Sequence, residues 1–306
     1  MPSDANAHIP RSPKGGGGRG GGISKSSGGK NGSKSGNGRG SSSSSKSPPP
    51  ISIPGSSSRS SSLYGGGGGA TTKITSGTFS GRTQGGASRS QVYGSSVYGS
   101  GYPGYAGKGV AGRDFPFYYW PITFGGAYGA VHYVEEGRKE YGSPSNSSRP
   151  GGVLTKVSFT SASGNTTLWV IADNSTTISL VDEIHDKCAS LLSTSTSRLP
   201  VAYSDTPRAE SVVQYYRASS VALALDGYNN TAALTDDDKM AATPLPGWRN
   251  TDMLRCLNDT IGAAVPLVDA DGHNNGAALG AGVPGTIHAE AAVLMVVLFS
   301  LLSPWV

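Results

Sequence analysis

The clearest alternation of apolar and polar residues lies between residues 152 and 173. The run VLTKVSFT (153–160) is followed by the polar stretch SASGN (161–165) and then by TTLWVIAD (166–173), which is rich in β-branched and aromatic residues. Two such runs joined by a short turn that contains Gly are typical of a β-hairpin. We therefore predict a hairpin over 152–173.

Helical periodicity follows directly after this hairpin. Potential N-caps are Asp173, Asn174, Ser175 and Thr176, and apolar residues then recur at i, i+4, i+7 and i+8 as Ile184, Cys188, Leu191 and Leu192. This spacing predicts a helix that begins near residue 174. Another helix is predicted over 250–262, where Met253, Leu257 and Ile261 share one stripe.

A further helix is predicted between these two. It would begin near Thr206-Pro207, because a Thr cap followed by Pro is typical of a helix N-terminus. Its buried face would contain Val212, Tyr216, Ser220 and Leu223, and it would end at Gly227. Together these elements predict a small α+β domain over 150–265. Its core would be modest, so we expect a covalent link to stabilise it.

Composition separates the first 110 residues from the rest. They hold 29 of the 46 Gly residues and 27 Ser residues, and they carry 13 Lys and Arg against one acid, Asp4. Residues 111–306 carry 12 Lys and Arg against 19 acids. Since a Gly/Ser chain has little apolar surface to offset its backbone entropy, we predict a disordered basic segment over 1–110. This composition argues against one packed core of 306 residues.

Two aromatic stretches follow within and after this segment. In the sequence QVYGSSVYGSGYPGY (91–105), Gly and Ser separate four tyrosines. This pattern is typical either of a solvated linker or of a tract that self-associates through its aromatic rings. FPFYYWPITFGGAYGAVHY (115–133) contains helix-breaking Pro and Gly, which argues against a membrane span. We interpret 111–149 as an aromatic hinge segment that packs on the body. A carbohydrate-stacking platform is the alternative for its aromatic residues.

Cys188 and Cys256 are the only two cysteines. A bridge between them would close a loop of about 69 residues, worth roughly 3–5 kcal/mol in the chain-entropy model. Two buried thiols in a cytosolic protein are the alternative. We predict the disulfide, because the features described next indicate the secretory route.

Asn-x-Ser/Thr sequons support secretion. Five of them lie in the body, at Asn146, Asn165, Asn174, Asn229 and Asn258, and we predict glycosylation at these positions.

The C-terminus supplies a second signal. Residues 266–290 are predicted to be a flexible spacer, and AAVLMVVLFSLLSPWV (291–306) is an uncharged apolar tail. Small residues near Asn275 and Gly276, a polar spacer and an apolar tail are the layout of a GPI-attachment signal, so lipid attachment is predicted at Asn275 or Gly276. The alternatives are a tail-anchor helix and a buried segment. No apolar stretch typical of a signal peptide occurs before residue 110, so we expect either that the start of this sequence lacks its signal segment or that the chain enters the membrane by its tail.

No pattern typical of a catalytic or metal site is present. Two cysteines cannot form a four-ligand zinc site, and no His lies at zinc-binding spacing. His185, beside Glu183 and Asp186, is interpreted as part of a solvated helix face. We therefore predict no enzymatic activity, no cofactor and no metal.

Two stretches carry a resemblance to a protein family. GVAGRDFPFYYWPITFGG (109–126) and QYYRASSVALALDGYNN (214–230), with the hydrophobic C-terminus, resemble uncharacterised fungal (basidiomycete-like) Gly/Ser-rich surface proteins. The resemblance covers about 90–306 and implies a membrane- or wall-associated protein without known catalytic residues.

The function expected from these features is that of a non-enzymatic structural or interaction protein at the cell membrane or wall. Its expected partners are the membrane, cell-wall polysaccharide or anionic polymers, and further copies of itself. The alternative is an intracellular tail-anchored protein whose basic segment binds RNA or anionic lipid.

Overall fold

The computed structural model describes residue 51 and residues 59–125, 131–237 and 239–269. The α-helices in these residues are α1 (His132–Tyr141), α2 (Asn174–Lys187) and α3 (Thr251–Ala264). The strands are β1 (Ser61–Ser62), β2 (Thr72–Lys73), β3 (Thr83–Gln84), β4 (Leu154–Thr160), β5 (Thr167–Asp173), β6 (Val201–Ala202), β7 (Val212–Tyr216), β8 (Val221–Leu225) and β9 (Leu267–Val268).

A five-stranded antiparallel sheet forms the centre of the body, with the strand order β6-β4-β5-β8-β7. The predicted hairpin is confirmed as β4 and β5, which pair from Leu154 with Asp173 to Thr160 with Thr167. Helix α3 is confirmed close to its predicted bounds. Helix α2 begins where predicted but ends at Lys187, so Cys188, Leu191 and Leu192 of its predicted apolar stripe lie beyond it. Asp173 and Asn250 cap the two helices, accepting hydrogen bonds from backbone N–H groups in the first turn. The predicted α+β class is therefore correct.

The helix predicted from Thr206-Pro207 is wrong, because this region forms the strands β7 and β8. All five residues of β8 are buried, so the strand lacks the alternation that would have distinguished it from a helix. The turn between the strands contains no Gly or Pro. Instead Arg217, Ala218 and Ser219 adopt positive φ angles of 50°, 49° and 58°.

The prediction of disorder is wrong for residues 59–110. Strand β1 pairs with β9, and β2 pairs with β3. Val92 and Tyr98 are at most 1% exposed and belong to the same core as the central sheet. Residues 1–50 and 52–58 lie outside the described residues.

The predicted packing of the aromatic stretch on the body is confirmed. Phe115, Tyr119, Ile122 and Phe124 are buried in the common core. The stretch leads into α1, a helix that the sequence analysis did not predict. The folded body therefore begins well before residue 150, and it includes β9 after residue 265. The predicted hydrophobic C-terminal helix lies outside the described residues.

Candidate functional site

An open cleft of about 190 Å³ lies between the β2–β3 hairpin and the aromatic stretch. Four aromatic side chains line it, those of Phe79, Phe115, Tyr118 and Trp120. We call this site the aromatic cleft. Its lining, as far as the described residues form it, contains no charged side chain. Hydroxyl and amide groups supply the polar part of the lining.

Backbone pairing with β3 positions the aromatic stretch. The Phe115 N–H donates to the Thr83 carbonyl oxygen at 2.9 Å, and the Gly85 N–H donates to the Phe115 carbonyl oxygen at 3.0 Å. Edge-to-face contacts then hold the rings. The Phe79 ring centre lies 5.1 Å from that of Phe115 and 4.8 Å from that of Trp120. The aromatic wall is therefore fixed by packing.

Tyr118 is held in an unusual backbone conformation, with a φ of 71°. Arg59 Nη1 donates to the Tyr118 hydroxyl at 3.1 Å, and its guanidinium carbon lies 5.3 Å from the ring centre. A Cβ atom at Gly85 would lie 2.5 Å from the Tyr118 hydroxyl oxygen, so a glycine is needed there. Such conformations persist only where their surroundings impose them, and they are frequent in binding sites.

Gln84 supplies the most buried polar side chain of the cleft. The residue is 6% exposed and its side chain lines the cleft, but its amide oxygen and nitrogen are not among the fully buried polar atoms that lack a partner, so they reach the open space of the cleft. An amide can donate two hydrogen bonds and accept two, so it can bind a polar group that enters the cleft. The hydroxyl groups of Ser76, Thr78 and Ser148 line the same cleft. These groups can form hydrogen bonds with a ligand between the aromatic walls.

Arg149 supports the cleft from behind Trp120. It is buried, its guanidinium carbon lies 5.7 Å from the Trp120 ring centre, and it donates to the carbonyl oxygens of Trp120 at 3.2 Å and of Pro121. Burial lowers the pKa of Arg149 to about 10, so the side chain remains a cation at neutral pH. Arg82 lies over the Phe79 ring and forms an ion pair with Glu140. Both cations are therefore occupied by the protein.

A second cavity, of about 320 Å³, lies beside Lys108. The Lys108 ammonium donates to three carbonyl oxygens, those of Ala232 at 3.0 Å, Thr235 at 2.6 Å and Asp237 at 2.9 Å. Because these bonds use all three of its N–H donors, the ammonium holds a loop and offers no free donor to a ligand.

Arg217 and Asp173 form a buried ion pair, with Arg217 Nη2 2.6 Å from Asp173 Oδ2. Arg217 is 0% exposed, and its guanidinium carbon lies 3.3 Å from the centre of the Tyr119 ring. Burial raises the pKa of Tyr119 to about 12. The pair has no access to solvent, so we assign it a structural role.

The two cysteines lie together as predicted. The Sγ atoms of Cys188 and Cys256 are 1.99 Å apart, at a disulfide distance, and their Cα atoms are 5.9 Å apart. Cys188 follows the last residue of α2, and Cys256 lies within α3. The bridge therefore joins the two helices that pack beside the central sheet.

The predicted glycosylation sites differ in their surroundings. Asn165 and Asn229 are exposed, whereas Asn146, Asn174 and Asn258 are half-buried. Asn165 Nδ2 donates to the Trp248 carbonyl oxygen at 3.1 Å, and Asn258 Oδ1 accepts from the Tyr216 hydroxyl at 2.8 Å. Glycosylation remains a prediction at all five. Asn275 and Gly276, the predicted lipid-attachment residues, lie outside the described residues.

The tyrosine tract at 91–105 is part of the folded body. Tyr98 and Tyr102 are buried, whereas Tyr93 is 45% exposed and Tyr105 is 56% exposed. Self-association therefore remains a prediction for which two of the four rings are accessible.

Half of the aromatic cleft could be recognised in the sequence. Phe115 and Trp120 belong to the stretch for which carbohydrate stacking was an alternative, but Phe79 and Gln84 fell in the segment predicted to be disordered. The run of aromatic residues was a visible signal. The bridge between Gln84 and Phe115, which are 31 residues apart, left no such signal in the sequence.

In the described part of the chain, no group of three His, Cys, Asp or Glu side chains is arranged to hold a metal ion. No helix in the same part is both long and apolar enough to cross a bilayer. Comparison with protein-family models, curated proteins and solved structures finds no match to this chain.

Proposed function

We propose that this protein is a non-enzymatic interaction protein of the cell membrane or cell wall, displayed on the outer side and held there by a GPI lipid. The observation that supports this most directly is the disulfide-distance pair Cys188 and Cys256. Disulfides persist in oxidising compartments and are rare in the cytosol. The exposed sequons at Asn165 and Asn229 suit a secreted domain.

The proposed anchor would hold the body close to the membrane. The described body ends at Asp269, six residues before Asn275. An extended chain advances at most about 3.6 Å per residue, so the lipid would lie within about 22 Å of Asp269. A basic segment and an aromatic cleft on such a body would contact polymers next to the membrane.

Two enzymatic treatments test this proposal in cells that express the full chain. A glycosidase that removes N-glycans should increase gel mobility, and Asn229→Gln should remove part of that shift. Phosphatidylinositol-specific phospholipase C should release the protein without residues 291–306. Replacing Asn275 and Gly276 with Leu should block release, because the transamidase needs small residues there. His273→Leu, just upstream, is the matched control and should not change release.

Recovery of a mature peptide that ends in Trp305-Val306, together with no glycosidase shift, would overturn the proposal. That result would favour the alternative, an intracellular tail-anchored protein whose basic segment binds RNA or anionic lipid. One observation favours this alternative: β1, which follows a sequence of 58 residues with eight Lys and Arg and one acid, pairs with β9, the last described strand before the C-terminal residues. Polybasic segments next to a membrane bind anionic lipid at about 1 kcal/mol per cation.

A further inference from the structure

We propose that the aromatic cleft binds one ring of a neutral saccharide. This inference names a ligand for the proposed surface protein. It rests on the proposed function in one respect, that the cell wall or membrane supplies the sugar. It is carried by the chemistry of the cleft, which is lined by four aromatic side chains and by the Gln84 amide.

The walls match the apolar part of a sugar. A pyranose ring presents C–H bonds on its faces and hydroxyl groups around its edge. Aromatic faces carry partial negative charge and attract such C–H bonds, while the ring edge remains free to form hydrogen bonds. Trp120 is only partly buried, and the rings of Phe79 and Phe115 fix its surroundings. The cleft therefore offers a preformed aromatic surface, which reduces the entropy cost of binding.

The polar groups match the edge of the sugar. The Gln84 amide both donates and accepts, as sugar hydroxyls do, and its position on β3 makes it a fixed partner. Ser76, Thr78 and Ser148 add hydroxyl groups at more exposed positions. Few polar groups within a mostly apolar lining are typical of small-molecule sites. A bound hydroxyl or acetamido group would form hydrogen bonds with the Gln84 amide in place of water.

The charges around the cleft favour a neutral ligand. No charged side chain of the described residues lines it. Arg82 is neutralised by Glu140, Arg149 donates to backbone carbonyl oxygens, and Arg59 donates to the Tyr118 hydroxyl and lies over its ring without itself lining the cleft. An acidic sugar would therefore lose its hydration without gaining an ion pair.

The volume limits the contact to one ring. About 190 Å³ corresponds to roughly six water molecules at about 30 Å³ each. A single ring gives a weak contact, so tight attachment to a polysaccharide would require several copies of the protein on one surface.

Saturation-transfer NMR on the full, oxidised protein tests the proposal. The probes are the neutral trisaccharides of β-1,3-linked glucose, β-1,4-linked N-acetylglucosamine and α-linked mannose, with a trisaccharide of galacturonic acid as the acidic comparison. We expect saturation to pass from aromatic protons to the ring C–H protons of at least one neutral probe, and not to the acidic probe.

Three variants locate the site. Gln84→Met keeps the side-chain length and removes no hydrogen bond within the described residues, and it should weaken binding about three- to tenfold, the loss of one hydrogen bond. Thr78→Trp, at an exposed position on the rim, should block binding while the fold is retained. Trp248→Ala is the matched control, because Trp248 is 45% exposed but does not line the cleft, and it should bind as the wild type does.

No transfer to any neutral probe, or preference for the acidic probe, would overturn the inference. So would unchanged binding in both cleft variants, or loss of binding in the control variant. These results do not depend on phospholipase release or glycosidase shifts. Failure of the sugar site can therefore be distinguished from failure of the proposed surface location.

Discussion

Replacing Asp173 with Asn should strongly destabilise the protein, because it leaves a buried cation without its acid. Arg217 is 0% exposed, and its Nη2 lies 2.6 Å from Asp173 Oδ2. Its other donors reach Ser220 Oγ at 2.8 Å, Thr176 Oγ1 at 3.0 Å and the Pro266 carbonyl oxygen at 2.9 Å. These partners are neutral, so Asp173→Asn removes the charge that balances the guanidinium.

The expected cost can be estimated from these contacts. Removing one partner of a buried ion pair costs about 3–5 kcal/mol. The remaining hydrogen bonds and the Tyr119 ring, 3.3 Å from the guanidinium carbon, still solvate part of the charge. We therefore expect the free energy of unfolding to fall by about 3 kcal/mol, a large share of the 5–15 kcal/mol that is typical of folded domains. Asp173→Ala should cost about 1 kcal/mol more, because it also removes the N-cap of α2.

Urea unfolding followed by circular dichroism measures both changes. Asp182→Asn is the control: Asp182 lies 3.6 Å from Arg198, both side chains are more than half exposed, and its loss should cost at most about 0.5 kcal/mol. A double variant, Asp173→Asn with Arg217→Met, should recover part of the stability, since it removes the unbalanced charge. Equal costs for Asp173→Asn and Asp182→Asn would refute a desolvated ion pair.

Three further predictions follow from the same structure. Reduction of the Cys188–Cys256 bridge, 68 residues apart, should lower the free energy of unfolding by about 4 kcal/mol in urea titrations, and a loss below about 1 kcal/mol would contradict it. Gly99→Ala should lower the free energy of unfolding by several kcal/mol, because its Cβ would overlap a backbone carbonyl group. Gly104→Ala, also at positive φ but in open space, should lower it by only about 1 kcal/mol. Equal melting temperatures for the two variants would contradict the packing of this segment. Burial raises the pKa of Tyr119 from 10.0 to about 12. The stability that this neutral phenol contributes is therefore present below pH 10 and is lost as the pH rises through 12, at up to about 3 kcal/mol. Phenolate absorbance should then appear together with loss of circular dichroism, and a reversible titration of all tyrosines near pH 10 would contradict it.

The elements that the sequence predicted correctly are those whose local signals agree with their burial. The β4–β5 hairpin alternates and has a polar turn at 161–165, and α2 and α3 begin directly after Asp173 and Asn250, which cap them. The pairing of Cys188 with Cys256 needed only their number and compartment. In each case the residues that indicate the element lie within a short stretch of sequence, or, for the disulfide, the number of cysteines is enough.

The β7–β8 region shows where periodicity fails. Its sequence VVQYYRASSVALAL places apolar residues at both helical and strand spacings, because β8 is covered on both faces. The positive φ angles at 217–219 close the turn without Gly or Pro. Arg217 N–H donates to the Val92 carbonyl oxygen, and Ser219 Oγ accepts from the Gly99 N–H. The turn is thus held by a distant segment, which no local pattern could show.

The folding of residues 59–110 follows from the spacing of a few large side chains, and mean composition conceals it. Tyr98 is 1% exposed, and its ring centre lies 5.4 Å from that of Phe124 and 5.7 Å from that of Tyr215. A buried aromatic removes about 200 Å² from water, worth about 5 kcal/mol at 25 cal/mol per Å². That offsets the backbone entropy of about three to five residues. In 91–105 the two buried rings, Tyr98 and Tyr102, offset the backbone entropy of about six to ten of the fifteen residues, and the half-exposed Tyr93 and Tyr105 add a smaller share. Residues 1–50 contain no Phe, Tyr or Trp, whereas 51–110 contain several. The sequence alone therefore distinguishes the two halves of the Gly/Ser-rich region by their content of large aromatic side chains.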